Sequence, residues 1–153
     1  MKRFKNWKPP IFDSDGWAYK ELINDFPSGE YGWRCLKNEI LKLGKDVDVG
    51  AFTLIFAHYG VDIGDDVQIG PGCFIGSYDT IDNKKGRIII KNNVCIGAHA
   101  VILPNVIIGK NSIIGACSFV NKGTIIQDNE IWVGVPSKKI GYLKMGKRIY
   151  LKS

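Results

Sequence analysis

The chain holds two histidines, His58 and His99, and four cysteines, Cys35, Cys73, Cys95 and Cys117. Histidine exchanges its proton near neutral pH, so a histidine is a natural general base for transfer chemistry, and one beside it could bind or orient a reactant. The other use for such residues is zinc. A catalytic zinc takes three protein ligands, and a structural one takes close-set cysteine pairs. Two histidines in all and no C-x-x-C pair supply neither, so no metal site is expected. Three of the cysteines, Cys73, Cys95 and Cys117, lie within the repetitive part of the chain and read as inert packing thiols of a reducing compartment. What decides between a chemical and a merely structural histidine is the scaffold that carries it.

That scaffold announces itself as a repeat. In steps of six, the chain reads Ile90, Ile96, Ile102, Ile108, Ile114, Val120 and Ile126. The position four later is small or β-branched: Val94, Ala100, Val106, Ser112, Ser118 and Thr124. The position one later is often glycine, as at Gly97, Gly109 and Gly115. Upstream the same frame holds at Leu43, Val49 and Ile55, then after two inserted residues at Ile63, Ile69, Ile75 and Ile81. The next step, to Ile90, implies an insertion of three within 82–89, where "DNKKGR" supplies a loop.

A hexad of one inward aliphatic residue, one small residue and a Gly or Asn turn builds a triangular parallel β-helix. Each hexad makes one strand and one corner, and three make a coil. No coil is stable alone, because each bonds to its neighbours. The spacing predicts an all-β fold of four to five coils over residues 43–136. A β-sandwich would show period-two alternation and strands every 8–12 residues or so; neither is present. Residues 1–42 lie outside the repeat and form a short, mostly helical cap. "DGWAYKELINDF" (15–26) reads as a capped helix stopped by "PSG", and 33–42, "WRCLKNEILK", as a second one. The aromatics Trp7, Trp17, Tyr19, Phe26, Tyr31 and Trp33 cover the end of the first coil. Residues 137–153 form a basic tail.

The hexad count places the candidate residues. His99 is the fourth residue of the Ile96 hexad, at a corner pointing outward. Counting three hexads per coil puts Tyr78, His58 and Cys117 at equivalent corners, so the four should form one column along an edge. Asp79 and Asp82 lie near that edge and could orient a histidine or bind an acceptor amine.

Charge narrows the partners. The net charge is +6, and residues 131–153 alone carry Lys138, Lys139, Lys144, Lys147, Arg148 and Lys152 with no acid. No nucleic-acid motif accompanies them, which points to a smaller phosphate-bearing ligand rather than nucleic acid. No apolar run is long enough to span a membrane, and the N-terminus lacks the apolar core of a signal peptide. A cytoplasmic protein is expected.

The segment "NNVCIGAHAVILPNVIIGKNSIIGACSFVNKGTI" and the later "VGVP" resemble the hexapeptide-repeat acyltransferases over roughly residues 43–140. "IG-x-H-x-x-I-x-P-x-V-x-IG" and "GVP-x-K-x-I" resemble the branch of galactoside, maltose and streptogramin acetyltransferases. "TIDNKKG" with "FVNKGTI" is similar to sugar acyltransferases of surface-glycan gene sets, such as those acetylating dTDP-4-amino-4,6-dideoxyglucose. The resemblance implies a left-handed coil, a homotrimer with sites between subunits, acetyl-CoA as donor, and His99 as the catalytic base. The expected reaction is direct acetyl transfer to a small sugar or nucleotide-sugar acceptor, on an amine of a nucleotide-linked amino sugar or, alternatively, on a hydroxyl, in lipopolysaccharide or capsule synthesis. His58, Tyr78, Asp79 and Asp82 are candidates for the acceptor. Gly97, Ala98, Gly115, Ala116, Lys122 and Gly123 sit at corners where small residues let the pantetheine arm approach the backbone, and Lys138 and Lys139 could pair with CoA phosphates. A three-histidine carbonic anhydrase shares the coil but not the histidine count. A non-catalytic scaffold would have no need of the histidine motif or the "GVP-x-K" end.

Overall fold

The computed structural model describes residues 32–144. They form a triangular prism of parallel strands with three faces. Face A stacks Arg34–Leu36, Leu54–Phe56, Phe74–Gly76, Val101–Ile102 and Phe119–Val120. Face B stacks Leu41–Leu43, Val61–Ile63, Ile88–Ile90, Ile107–Ile108 and Ile125–Ile126. Face C stacks Asp48–Val49, Gln68–Ile69, Cys95–Ile96, Ile113–Ile114 and Glu130–Gly134. The chain visits A, B and C in turn, five times over. Inside, Ile55, Ile75, Ile102 and Val120 stack on face A, with matching columns on the other two. The small residues Val94, Ala100, Val106, Ser112 and Ser118 fill the corners from within. A final strand, Ser137–Tyr142, runs antiparallel to Glu130–Gly134 and closes the stack.

The corners explain the turn residues. The third residue after each inward one turns with positive φ: Asp46, Asp66, Asn93, Asn111 and Asn129 between faces B and C, at 54° to 65°. Asp and Asn tolerate this left-handed conformation better than most side chains.

The structure departs from the hexad reading in four places. Residues 33–42 form no helix: a strand, Arg34–Leu36, a single 3-10 turn, Asn38–Ile40, and a second strand, Leu41–Leu43, pair into faces A and B. Strand pairing overrides the helical spacing of Trp33, Leu36 and Ile40. The first coil therefore opens at Arg34, ahead of the expected start at 43, and the closing hairpin crosses the boundary expected at 136. Ile81 is not a hexad position but 93% exposed. The insertion holds nine residues, not three, because Ile75 on face A is followed by Ile90 on face B; the chain leaves the coil after Gly76, makes an antiparallel hairpin of Tyr78–Asp79 with Lys84–Lys85, and returns at Ile88.

The third departure follows from the second. Ile102, not Ile96, lies in register with Ile75. The expected column of His58, Tyr78, His99 and Cys117 is thus two columns on two edges. Phe52, Gly72, His99 and Cys117 line the edge between C and A; His58, Tyr78, Asn105 and Gly123 line the edge between A and B. Fourth, the cysteines are not uniformly buried: Cys35 and Cys73 are, Cys95 is half-buried and Cys117 is exposed. Burial, aided by the charge of Glu39, pushes the Cys35 thiol up to about 12.

The expected helix over 15–26, the aromatics Trp7, Trp17, Tyr19, Phe26 and Tyr31, and Lys147, Arg148 and Lys152 lie outside the described residues. Among the described residues, no helix is long and apolar enough to cross a membrane, and no group of three His, Cys, Asp or Glu side chains is placed to hold a metal ion.

Candidate active site

The C–A edge carries His99. Its backbone turns with φ 57°, between Gly72 at 67° one coil before and Cys117 at 56° one coil after. The His99 N–H donates to Pro71 O at 2.9 Å, and the Cys117 N–H to Ala98 O at 2.8 Å, so the corners are stacked by backbone bonds. The exposed imidazole lies over Gly72: a Cβ built there would fall 2.5 Å from His99 Nδ1 and 2.6 Å from Cε1. Only a glycine leaves room for the ring in this position. The hexad count had paired His99 with Tyr78 instead and so missed Gly72. The signal was available: Ile75 to Ile90 is fifteen residues, and the intervening "YDTIDNKKG" is polar.

Beside this edge, face C holds an open groove lined by Gly70, Pro71, Gly97, Ile113, Gly115 and Ala116, among others. Three expected donor-site residues, Gly97, Gly115 and Ala116, therefore share one surface, and Ala98 lies between that surface and His99 in the chain. The glycine at 97 has a structural reason too. A Cβ there would fall 2.3 Å from the Ala116 backbone N, so the coils stack this closely only on glycine.

The closing hairpin brings its basic residues to the far end of the same face. Val133, which pairs with Lys138, has Cγ1 within 2.6 Å of where a Gly115 Cβ would stand. Lys138 is exposed. Lys139 is engaged: its Nζ lies 3.2 Å from Glu130 Oε1 and 2.7 Å from Tyr142 Oη. Glu130 is only 4% exposed. Its Oε2 accepts from Trp132 Nε1 at 2.8 Å and from the Gln127 N–H at 3.0 Å. Burial alone would raise this carboxyl, but the Trp132, Gln127 and Lys139 bonds together hold it below the usual carboxylate range. Lys139 is thus first of all the counter-ion of a buried acid.

The A–B edge gathers a different set. His58 lies edge-on to Phe56 at 5.8 Å and 6.3 Å from the Tyr78 ring, with Nδ1 buried and without a partner among the described residues. Tyr59 meets Tyr78 at 5.6 Å, and Lys85 Nζ stands over both rings. Asp79 and Asp82 do not orient His58. Their carboxylates close on Lys122 Nζ at 2.5 and 2.8 Å. The Lys122 bond holds both carboxyls below their ordinary range, and the two carboxylates hold the ammonium above its own. Lys122 and Gly123 accordingly stand on the hairpin's edge, away from the groove. Of the expected site residues, the structure brings His99, Gly97, Ala98, Gly115, Ala116, Lys138 and Lys139 toward one face and gathers His58, Tyr78, Asp79, Asp82, Lys122 and Gly123 on the opposite edge of face A.

Residues 87–122 match the family model described as bacterial transferase hexapeptide (six repeats). The repeat region of the chain is therefore similar to this hexapeptide-repeat family. It is 37% identical over 110 residues to a galactoside O-acetyltransferase of Lactococcus lactis, covering 61% of this chain and 51% of that one. A solved galactoside acetyltransferase in complex with coenzyme A is 31% identical, with a TM-score of 0.66 over 73% of this chain and 59% of that one. An N-acyltransferase from Bacillus cereus, in complex with dTDP and 3-hydroxybutyryl-CoA, is 25% identical, with a TM-score of 0.60 over 73% and 80%. The chain spans about half the length of the curated galactoside acetyltransferase it matches. The prism is the left-handed β-helix of the acetyltransferases, and the likeness runs to their sugar-modifying branch.

Proposed function

We propose that this chain transfers acetyl from acetyl-CoA to a sugar, with His99 as general base. The observation that carries the reading is the juxtaposition on face C: a groove floored by Gly97 and Gly115 that ends beside an exposed histidine with no competing side-chain partner among the described residues. A sugar hydroxyl is far too weak an acid to ionise unaided. His99 accepts its proton as the oxygen attacks the thioester carbon. Collapse of the tetrahedral adduct expels CoA thiolate, which takes up a proton as the acetyl ester remains. Such a base contributes about 10²–10⁴-fold. The backbone N–H groups of the corner are the candidates to stabilise the oxyanion. The pantetheine arm runs along the glycine row, and Lys138 at the far end meets a CoA phosphate as a charge-assisted bond. No covalent enzyme intermediate enters.

The hydroxyl acceptor is favoured by the A–B edge. Asp79 and Asp82, the candidate anchors for an amine, are already neutralised in part by Lys122. The likeness to an N-acyltransferase with bound dTDP favours the second reading, acetylation of an amine on a nucleotide-linked sugar. A homotrimer acting in the cytoplasm, in surface-glycan synthesis, completes the proposal. The test is acetyl-CoA turnover against a panel of free sugars and nucleotide-linked amino sugars, with His99→Ala alongside. Turnover on neither class, or turnover that survives His99→Ala, overturns it.

A further inference from the structure

Among the described residues, Glu130 is the only charged side chain that is buried, and the proposed mechanism gives it no task. A carboxylate is costly to take out of water unless bonds replace the water. Here they do, and they come from different parts of the chain. Oε2 accepts from Trp132 Nε1 on its own strand and from the Gln127 N–H before it, and Oε1 accepts from Lys139 Nζ on the returning strand. The Glu130 N–H donates to Ser112 Oγ at 3.3 Å, and that hydroxyl donates to Gln127 O at 2.8 Å. One carboxylate thus ties both strands of the closing hairpin to each other and to the last coil.

The hairpin has two sides with different work. Directly opposite residues of a ribbon share a side, and successive residues alternate. Glu130 pairs with Tyr142 and Trp132 with Lys139, which puts the bonded groups on one side; Val133 pairs with Lys138 on the other. The register shifts between Ile131 and Trp132 and leaves Ile140 unpaired. Such a bulge re-aims the side chains beyond it. It lets Lys139 and Tyr142, three residues apart, share the bonded side, where Lys139 Nζ meets Tyr142 Oη at 2.7 Å. The opposite side faces the groove. Val133 Cγ1 stands 2.6 Å from where a Cβ on Gly115, a groove residue, would be, and Lys138 beside it is exposed.

We infer that Glu130 is a positioning residue for the donor: it fixes one side of the closing hairpin so that the other side holds Lys138 at the end of the groove. The inference rests on the proposed use of acetyl-CoA and adds to it the group that makes Lys138 effective. A lysine side chain gives up much rotamer freedom when it holds a phosphate. The bond adds affinity only if the backbone beneath is already in place. That backbone needs help here. Ser137–Tyr142 is the edge strand of face C and pairs with Glu130–Gly134 alone. Edge strands open most readily, since one neighbour carries all their ladder bonds. The Glu130 carboxylate supplies a second hold, through Lys139, from inside the stack.

Acetyl-pantetheine separates this role from a merely structural one, because it carries the same thioester and arm as acetyl-CoA but no phosphate. Glu130→Gln keeps the size of the side chain and an oxygen for Trp132 and Gln127, but turns an amide N–H toward the Lys139 ammonium. The KM for acetyl-CoA should rise by about three- to tenfold, part of what a whole charge-assisted phosphate bond is worth. The KM for acetyl-pantetheine should stay within about twofold. Trypsin should cut the variant faster than the parent after Lys138 and Lys139, as read by mass spectrometry. An equal rise for both donors, no rise for acetyl-CoA, or unchanged cutting overturns the inference. If Glu130→Gln does not fold, Trp132→Phe removes a single bond from the same carboxylate and should show the same donor selectivity at smaller size; its absence there overturns the inference too. Should the parent transfer no acetyl group, calorimetry with CoA and pantetheine replaces kinetics. Weaker binding of CoA alone in Glu130→Gln then upholds the positioning role and overturns only the transfer reading.

Discussion

Two edges of the prism make the same turn with different residues. At the B–C edge the left-handed corner is Asp46, Asp66, Asn93, Asn111 and Asn129; at the C–A edge it is Phe52, Gly72, His99 and Cys117, all with φ between 54° and 67°. A side chain that does not favour this conformation costs about 1–2 kcal/mol. Where turning the chain is the whole task, the sequence supplies Asp or Asn at every level. Where it does not, another requirement has outweighed the backbone preference. The contrast picks out the C–A edge without reference to any relative, and the groove on face C opens beside that edge.

Exchanging residues between the edges sharpens the contrast. His99→Asn gives the C–A corner the residue of the other edge. The fold should be kept and Tm unchanged or slightly raised, since Asn is at ease at positive φ. Turnover should fall by about 10²–10⁴-fold. Steady-state rates beside a thermal melt check both halves. A variant that melts early would mean that His99 is there for packing.

Gly72→Ala attacks the same residue from below. A methyl group would overlap the imidazole, at 2.5 Å from Nδ1, and would strain a φ of 67°. Displacing a catalytic group by an ångström costs about 10²-fold, so kcat should fall by about 10- to 100-fold. Acetyl-CoA KM should hardly move, because Gly72 is outside the groove row. An unchanged kcat would show that the ring swings to its working position regardless.

How much of this was readable beforehand follows from what a period can carry. A period of six marks the inward residues, because each must fill the same place in its coil; the prism and its corners followed from that. It does not distinguish an inward Ile from an Ile on a loop tip that happens to stand six residues on, and Ile81 does. That one coincidence merged two edges into one column and hid Gly72. The ion pairs were hidden for a related reason. Lys122 meets Asp79 and Asp82 only once two coils are laid in the right register, and Lys139 meets Glu130 only because the closing hairpin folds back. The outward corner that carries His99 was legible, since the hexad count and the observed turn agree there.

Asn111→Ala tests the plain edge. Its side chain donates to Asn129 Oδ1 at 3.0 Å, and its φ is 59°. Alanine loses the bond and is less at ease in the turn, so stability should fall by about 1–2 kcal/mol. Turnover at a temperature well below the melt should stay within about twofold of the parent. A large loss of activity would mean that the B–C edge is more than a turn.

The smallest effect is expected at Cys117, the remaining C–A corner beside His99. Its thiol is exposed and one coil from the imidazole, the arrangement from which a cysteine nucleophile could be built. Direct transfer to the acceptor gives it no such task. Cys117→Asn restores the residue of the B–C edge at φ 56°, and should change stability by no more than about 0.5–1 kcal/mol, in the favourable direction. Activity should stay within about threefold, because the histidine keeps its own support from Gly72 below. Two measurements make the outcome sharp. The melt reports on the corner, and a rapid-quench search for acetyl on the protein reports on the thiol. If Cys117→Asn abolished turnover while raising Tm, and the parent carried a labile acetyl group that the variant lacked, the acetyl would pass through sulfur. His99 would then activate the thiol rather than the sugar. Loss of activity without any acetyl-protein would instead place Cys117 against the acceptor, and the C–A edge would hold two functional corners where we assign one.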